Sequence, residues 1–152
     1  MESAAAIGVH HVVWCVKPES LERVRVFWER VIGLALEQID LPELGLRVLI
    51  SWTGGVEIMT PAYEHGSMAE AARAFLAERG EGVYSVVYGV RDIDGVIASF
   101  EAFGGRLLFR ESITPDEVEA RRLSDGDRFA ILQAGFDDEC GMRICLQELR
   151  PE

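Results

Sequence analysis

The chain has 152 residues, of which 49% are hydrophobic and 27% are charged, a composition that supports one globular domain with a core of ordinary size. Fifteen Lys and Arg against 26 Asp and Glu give a net charge of −11, which disfavours nucleic acid and anionic membrane surfaces as partners. No stretch approaches the roughly eighteen apolar residues of a membrane span, and the three cysteines form no CxxC pair, so we expect reduced thiols and a cytoplasmic protein.

The first half of the chain predicts a strand, a helix and three further strands. Residues 8–16 are dense in β-branched residues and predict a buried strand, and apolar residues at helical spacing predict a helix within 19–33. Three more strands are predicted between turn signals, at 34–39, 45–52 and 55–60. This βαβββ order defines a first module at 8–61.

A linker at 62–81 separates the two halves. Ser67-Met68-Ala69-Glu70 has the pattern of a capping box and predicts an alanine-rich helix that ends near Gly80.

The second half repeats the order of the first. A strand is predicted at 82–90 and a helix at 94–103, closed by Gly104-Gly105. Further strands are predicted near 106–110, 127–134 and 142–148. These elements define a second module at 82–150.

An additional helix near 115–123 interrupts the second module. Thr114 is its predicted N-cap, with Pro115 at the first helical position and Glu117 at the third. This helix is either a lid at a cavity mouth, with Arg121, Arg122 and Arg128 presenting cations to an anionic group, or a solvated surface helix.

A direct repeat supports the two-module interpretation. Gly8 to Lys17 aligns without a gap on Gly82 to Arg91, with five identities, one aromatic pair and one basic pair. Within this repeat His11 aligns with Ser85, so only the first copy has an imidazole at this position.

The doubled pattern, with His11 in the first strand and Val56 to Pro61 ending the first half, resembles the vicinal oxygen chelate superfamily of glyoxalases, extradiol dioxygenases and bleomycin resistance proteins. Val56 to Pro61 followed by Phe75 to Val83 looks most like the methylmalonyl-CoA epimerases. The resemblance implies an α+β fold of two tandem βαβββ modules, each curling a mixed sheet around a cavity that takes a small-molecule ligand.

The resemblance also implies four metal-ligand positions, one on the first and last strand of each half. His11 and Glu57 provide the first two, whereas Ser85 and Cys145 stand where a histidine and a carboxylate are expected. His11, Glu57 and Cys145 together offer nitrogen, oxygen and sulfur donors that zinc or a similar divalent ion accepts. The alternative is a metal-free site in which Cys145 is a core residue, and we expect no cofactor.

The glutamate that serves such epimerases as a base aligns here with Val48, so metal-dependent epimerase activity is not expected. Val48, Ser85 and Cys145 would line a neutral, partly apolar cavity, with Arg121 and Arg122 as further substrate-binding candidates. His10, by strand period, should face away from His11 and take no part in chemistry.

Two functions fit these residues. One is a lyase or isomerase acting on a small carbonyl or acyl compound, with His11 and Glu57 as an acid–base pair. The other is a non-catalytic protein of the bleomycin-resistance type that binds or sequesters a small molecule. Sheet edges and apolar faces also favour a homodimer.

Overall fold

A computed structural model describes residues 6–124, 126–139 and 141–152. Its strands are β1 Ala6–Cys15, β2 Glu37–Leu41, β3 Leu46–Ser51, β4 Val56–Pro61, β5 Gly82–Val90, β6 Leu107–Ile113, β7 Phe129–Phe136 and β8 Ile144–Pro151. Its helices are α1 Leu21–Val26, α2 Ala69–Arg79, α3 Ile93–Phe103 and α4 Pro115–Ala120, and α1 is extended by a 3-10 turn at Pro18–Ser20 and a π-helical turn at Phe27–Ile32. The predicted α+β class and the tandem βαβββ order are confirmed.

The two modules have the same strand topology. In the first, β2, β3 and β4 are antiparallel neighbours, and β4 runs parallel to β1. In the second, β6, β7 and β8 are antiparallel neighbours, and β8 runs parallel to β5. The registers also correspond, because Cys15 pairs with Met59 as Gly89 pairs with Gln147. The repeat in sequence is therefore a repeat in structure, built on mixed sheets.

The chain forms two compact units whose boundary falls inside β1 and β5. One unit is Val12–Tyr84, and the other joins Met1–His11 to Ser85–Glu152. The first part of β1, with His11, thus belongs to the same unit as the second module. Helix α2, predicted as a linker, belongs to the unit of the first module.

Each unit has its own apolar core between a sheet face and a helix. In the first unit Leu21 of the α1 helix joins Leu49 and Ile58 of the sheet, and Trp14 packs against them. In the second unit Ile93 and Ile97 of α3 contact Leu146, and Tyr88 packs there. The aligned aromatic residues of the repeat therefore occupy equivalent core positions, as the alternation of strand residues predicts.

Two helix termini differ from the predictions. The prediction of a capping box at Ser67 is wrong, because α2 begins after Met68 without a side-chain cap. The backbone N–H groups of Ser67 and Met68 instead donate to the carbonyls of Glu43 and Leu44, which holds them in the preceding loop. Helix α4 ends at Ala120 rather than near Leu123, because the chain turns through a left-handed conformation at Arg122 (φ 58°).

The N-terminus of α4 matches its prediction. The Thr114 hydroxyl accepts from the Glu117 N–H, the Glu117 carboxylate accepts from the Thr114 N–H, and Pro115 occupies the first turn. Between its ends, α4 packs Val118 against Ile113 and Ile131. No helix in the described ranges is both long and apolar enough to cross a membrane.

Candidate functional site

His11 contacts a neighbour that its strand position did not predict. The Nδ1 atoms of His10 and His11 are 2.8 Å apart, and the two ring centroids are separated by 5.1 Å at an interplanar angle of 76°. Since a hydrogen bond needs one donor and one acceptor, one of these two nitrogens carries the proton. Loss of solvent around the enclosed part of its ring lowers the pKa of His10, and the neighbouring His11 lowers it further. The prediction that His10 faces away from His11 is wrong.

The histidine pair lies close to an irregular backbone position. Gly8 has φ 140°, a conformation outside the ordinary strand region, two residues before His10. His11 is half-buried, and His10 is exposed. The pair thus joins a solvent-accessible imidazole to one that is partly enclosed.

Glu57 and Val48 lie in the other unit. Glu57 is half-buried on β4, in register with Val13 of β1 and with Ile50 of β3. Val48 is 4% exposed on β3 and pairs with Met59. Val48 is therefore an aliphatic core residue and supplies no base at this strand position.

Ser85 and Cys145 share a unit with His11. Ser85 is 3% exposed on β5, and Cys145 is a half-buried reduced cysteine on β8 in register with Val87 and Gly135. Gln147, two residues along β8 from Cys145, is buried opposite Gln133. The face of this sheet that turns away from α3 accordingly carries neutral polar side chains.

The residues present do not fit the metal centre that the resemblance implied. Ser85 offers a neutral hydroxyl, a poorer ligand than the expected imidazole. Among the residues that the structure describes, no three His, Cys, Asp or Glu side chains are gathered closely enough to hold a metal ion. The ligand set His11, Glu57 and Cys145 stays a prediction from sequence, and no chemical step below is routed through a metal.

The arginines near α4 contact carboxylates of their own unit. The Arg121 Nη1 atom lies 3.5 Å from the Glu111 carboxylate. Arg128 forms ion pairs at 2.6 to 2.9 Å with Asp116, Glu119 and Glu152. Its hydrogen bonds to Glu152 and then Asp116 raise the pKa of Arg128. The roles of Arg121 and Arg122 in binding substrate, and of α4 as a lid, remain predictions.

A cleft of about 330 Å³ opens in the unit that contains the second module. We call it the β1 cleft and define it by residues 7–10, 89–91 and 147–149. Its apolar residues Ile7 and Val9 are 65% and 56% exposed. Its one carboxylate, Glu148, accepts hydrogen bonds from the Ile93 N–H and from Arg150. The predicted site residues do not line this cleft, and sequence reasoning missed it. The available signal was the run of apolar residues that continues upstream of His10.

Comparison with known proteins supports the fold. A methylmalonyl-CoA epimerase from Mycobacterium tuberculosis is 20% identical with a TM-score of 0.66, over 100% of this chain and 93% of that one. A second methylmalonyl-CoA epimerase is 18% identical with a TM-score of 0.69, over 100% of both chains. A Streptomyces coelicolor methylmalonyl-CoA epimerase, solved in complex with 2-nitronate-propionyl-CoA, is 17% identical with a TM-score of 0.66, over 94% of this chain and 97% of that one.

No family model matches the chain, and no curated protein sequence matches it. The resemblance inferred from the sequence is confirmed at the level of the fold, which this chain shares with these methylmalonyl-CoA epimerases.

Proposed function

We propose that this chain is a lyase or isomerase acting on a small carbonyl or acyl compound, with His11 and Glu57 as its acid–base residues. The observation that carries the proposal is the 2.8 Å contact between the Nδ1 atoms of His10 and His11. A hydrogen bond at one imidazole nitrogen selects the tautomer and orients the ring, which prepares the other nitrogen for a defined role in proton transfer.

Proton abstraction next to a carbonyl is the reaction class that suits these groups. Such a step needs a base of moderate strength within hydrogen-bond reach of the carbon acid, and imidazole and carboxylate are the usual choices. Because Val48 supplies no base on β3, His11 and Glu57 are the groups that we assign to this work. One of these two residues accepts the proton from the carbon next to the carbonyl, and the C–H electron pair forms an enolate. In an isomerase the protonated residue of the pair returns a proton to that carbon, and in a lyase the enolate re-forms the carbonyl and expels a leaving group from the adjacent carbon.

Acyl thioesters are the first substrates to test. The Streptomyces coelicolor epimerase with this fold was solved in complex with an acyl-CoA analogue, and another structure of a methylmalonyl-CoA epimerase contains methylmalonyl-CoA. A thioester carbonyl also acidifies the neighbouring carbon. Neutral Ser85, Gln147 and Cys145 would contact the uncharged part of such a ligand.

Turnover of a panel of acyl-CoA esters and small carbonyl compounds tests the proposal. We expect His11→Ala to abolish turnover of any substrate found, since it removes the imidazole. His65→Ala is the matched control, because His65 is an exposed loop residue. Turnover that survives His11→Ala would refute the assignment of His11.

Non-catalytic binding is the second candidate function. The buried, uncharged Ser85 and Val48 favour it, because they occupy positions where the resemblance implied a ligand and a base. In that case a compound from the panel binds without conversion, and its affinity is retained in His11→Ala. Calorimetry beside the turnover assay separates the two functions.

We also propose that the protein is a cytoplasmic homodimer. Cys15 and Cys145 form no disulfide among the described residues, which suits a reducing compartment. Exposed apolar residues such as Val31, at 70%, and Phe103, at 75%, provide surface for self-association. Sedimentation of the full chain would show a dimer if this is right and a monomer at all concentrations if it is wrong.

A further inference from the structure

Each unit has a surface at the position of the β1 cleft, and in the first unit that surface is covered. His10 aligns with Tyr84, Gly89 with Cys15, and Arg91 with Lys17. In the first unit this position is covered by α2, whose Phe75 ring lies 5.1 Å from the Tyr84 ring in an edge-to-face arrangement. The Cys15 thiol is 3.9 Å from the Ala72 carbonyl of the same helix. In the second unit the corresponding surface is the β1 cleft, and no helix residue of the described ranges lines it.

A carboxylate completes the covered position in the first unit. The backbone N–H of Lys17 donates to the Glu81 carboxylate at 3.0 Å. The Glu81 pKa is lowered first by a hydrogen bond with the Ser20 side chain, and then by this Lys17 hydrogen bond and the Lys17 charge. Glu81 immediately precedes the second copy of the repeat, and the residue that immediately precedes the first copy is Ile7. An aliphatic side chain cannot accept a hydrogen bond, so a carboxylate at the corresponding N–H of Arg91 would have to come from a ligand.

Two features make the β1 cleft suitable for such a ligand. Gly89 stands where Cys15 stands in the first copy, and the missing side chain leaves room on the cleft floor. Arg91 is exposed at the rim and adds a guanidinium, which binds carboxylates strongly and in a defined orientation. The volume of about 330 Å³ lies at the lower end of the range for small-molecule sites.

We propose that the β1 cleft binds a small arylalkyl carboxylate. Its ring lies against His10, as the Phe75 ring lies against Tyr84, and its carboxylate faces the backbone N–H and guanidinium of Arg91, as Glu81 faces Lys17. Ile7, Val9 and Leu149 contact its apolar body. The cleft shares His10 and Gln147 with the residues assigned to the proposed reaction, but its occupancy is measured as binding and does not depend on turnover.

Titration of the isotope-labelled full chain with 3-phenylpropionate, followed by amide NMR shifts, tests the proposal. We expect saturable shifts at Gly89, Arg91 and Leu149. Arg91→Gln should weaken the affinity by about tenfold or more, because it removes a charge-assisted hydrogen bond. Lys17→Gln is the matched control at the aligned position and should bind like the unmodified chain.

A second ligand distinguishes the contribution of the ring from that of the carboxylate. 3-Phenylpropanol keeps the ring and lacks the carboxylate, so it should bind about tenfold more weakly and be insensitive to Arg91→Gln. Glu57→Gln should bind 3-phenylpropionate normally, which keeps this test independent of the proposed reaction. Shifts that map to Ser85 and Cys145 instead, no saturable shifts, or equal affinity in Arg91→Gln would overturn the proposal.

Discussion

The Nδ1 atoms of His10 and His11 are 2.8 Å apart, although the two residues are consecutive in a strand. Consecutive strand residues ordinarily point to opposite sheet faces, so this contact departs from the regular strand pattern. The contact makes His10 a positioning residue for His11 in the proposed reaction.

Replacing His10 should therefore reduce turnover without preventing it. In His10→Ala the His11 ring loses the hydrogen bond that selects its tautomer, and we expect kcat to fall by about 10-fold to 100-fold. Tautomers of His11 can be assigned from long-range proton–nitrogen NMR spectra of both proteins. An unchanged tautomer together with an unchanged kcat would contradict this role.

Glu148 should stabilise the fold in a pH-dependent way. This buried carboxylate accepts from Arg150 at 2.7 Å and from the Ile93 N–H at 2.9 Å, and these bonds lower its pKa against the opposing effect of burial. A carboxyl with a lowered folded pKa contributes stability that is present above its unfolded pKa, about 4.3, and is lost as the pH falls through the folded value.

The corresponding variant is Glu148→Gln. We expect it to lower the free energy of unfolding by about 1.5 to 3 kcal/mol at pH 7, the range for hydrogen bonds to charged groups. Denaturation at a series of pH values should show the difference from the unmodified chain shrinking in acid. A difference that stays constant from pH 7 to pH 3 would contradict the assigned cause.

Gly66 should tolerate no side chain. Its φ is 151°, and a Cβ atom would lie 2.1 Å from the Gly45 nitrogen, so backbone would have to move. We expect Gly66→Ala to destabilise the protein by at least about 1 to 3 kcal/mol. Gly82→Ala is the control, because no atom lies within 4 Å of a Cβ there. Equal melting temperatures for the two variants would show that the loop before α2 is not held as described.

Replacing Thr60 should stabilise the protein. It is 1% exposed, and within the described ranges its hydroxyl has no hydrogen-bond partner. Thr60→Val keeps the shape and removes the unsatisfied group, so we expect the free energy of unfolding to rise by about 1 kcal/mol. Thr60→Ser, which keeps the hydroxyl and loses a methyl group, should be destabilising. Denaturant titration distinguishes these results, and a destabilised Thr60→Val would imply a hydroxyl partner.

Sequence patterns predicted the modules because their signals are local. Alternation within Gly82–Val90 predicts β5, and the Thr114 to Glu117 spacing predicts the start of α4. The wrong prediction of a capping box at Ser67 shows where local signals fail. There the backbone N–H groups of Ser67 and Met68 donate to carbonyls of residues 43 and 44, which are distant in sequence.

The site was less predictable for physical reasons. The strand period does not predict the contact of His10 with His11, because it places consecutive side chains on opposite faces. Within the described ranges no helix residue lines the β1 cleft at Gly89, whereas α2 covers Cys15, and the aligned sequences of the two strands do not contain that difference.

Solvent deuterium incorporation tests the central claim most directly. An acyl-CoA ester from the panel is incubated with the protein in D2O, and exchange at the carbon next to the thioester carbonyl is followed by NMR. We predict catalysed exchange by the unmodified chain and by His65→Ala, and none above background by His11→Ala. Exchange by His11→Ala at the unmodified rate, or no exchange by the unmodified chain with any bound acyl compound, would contradict the account.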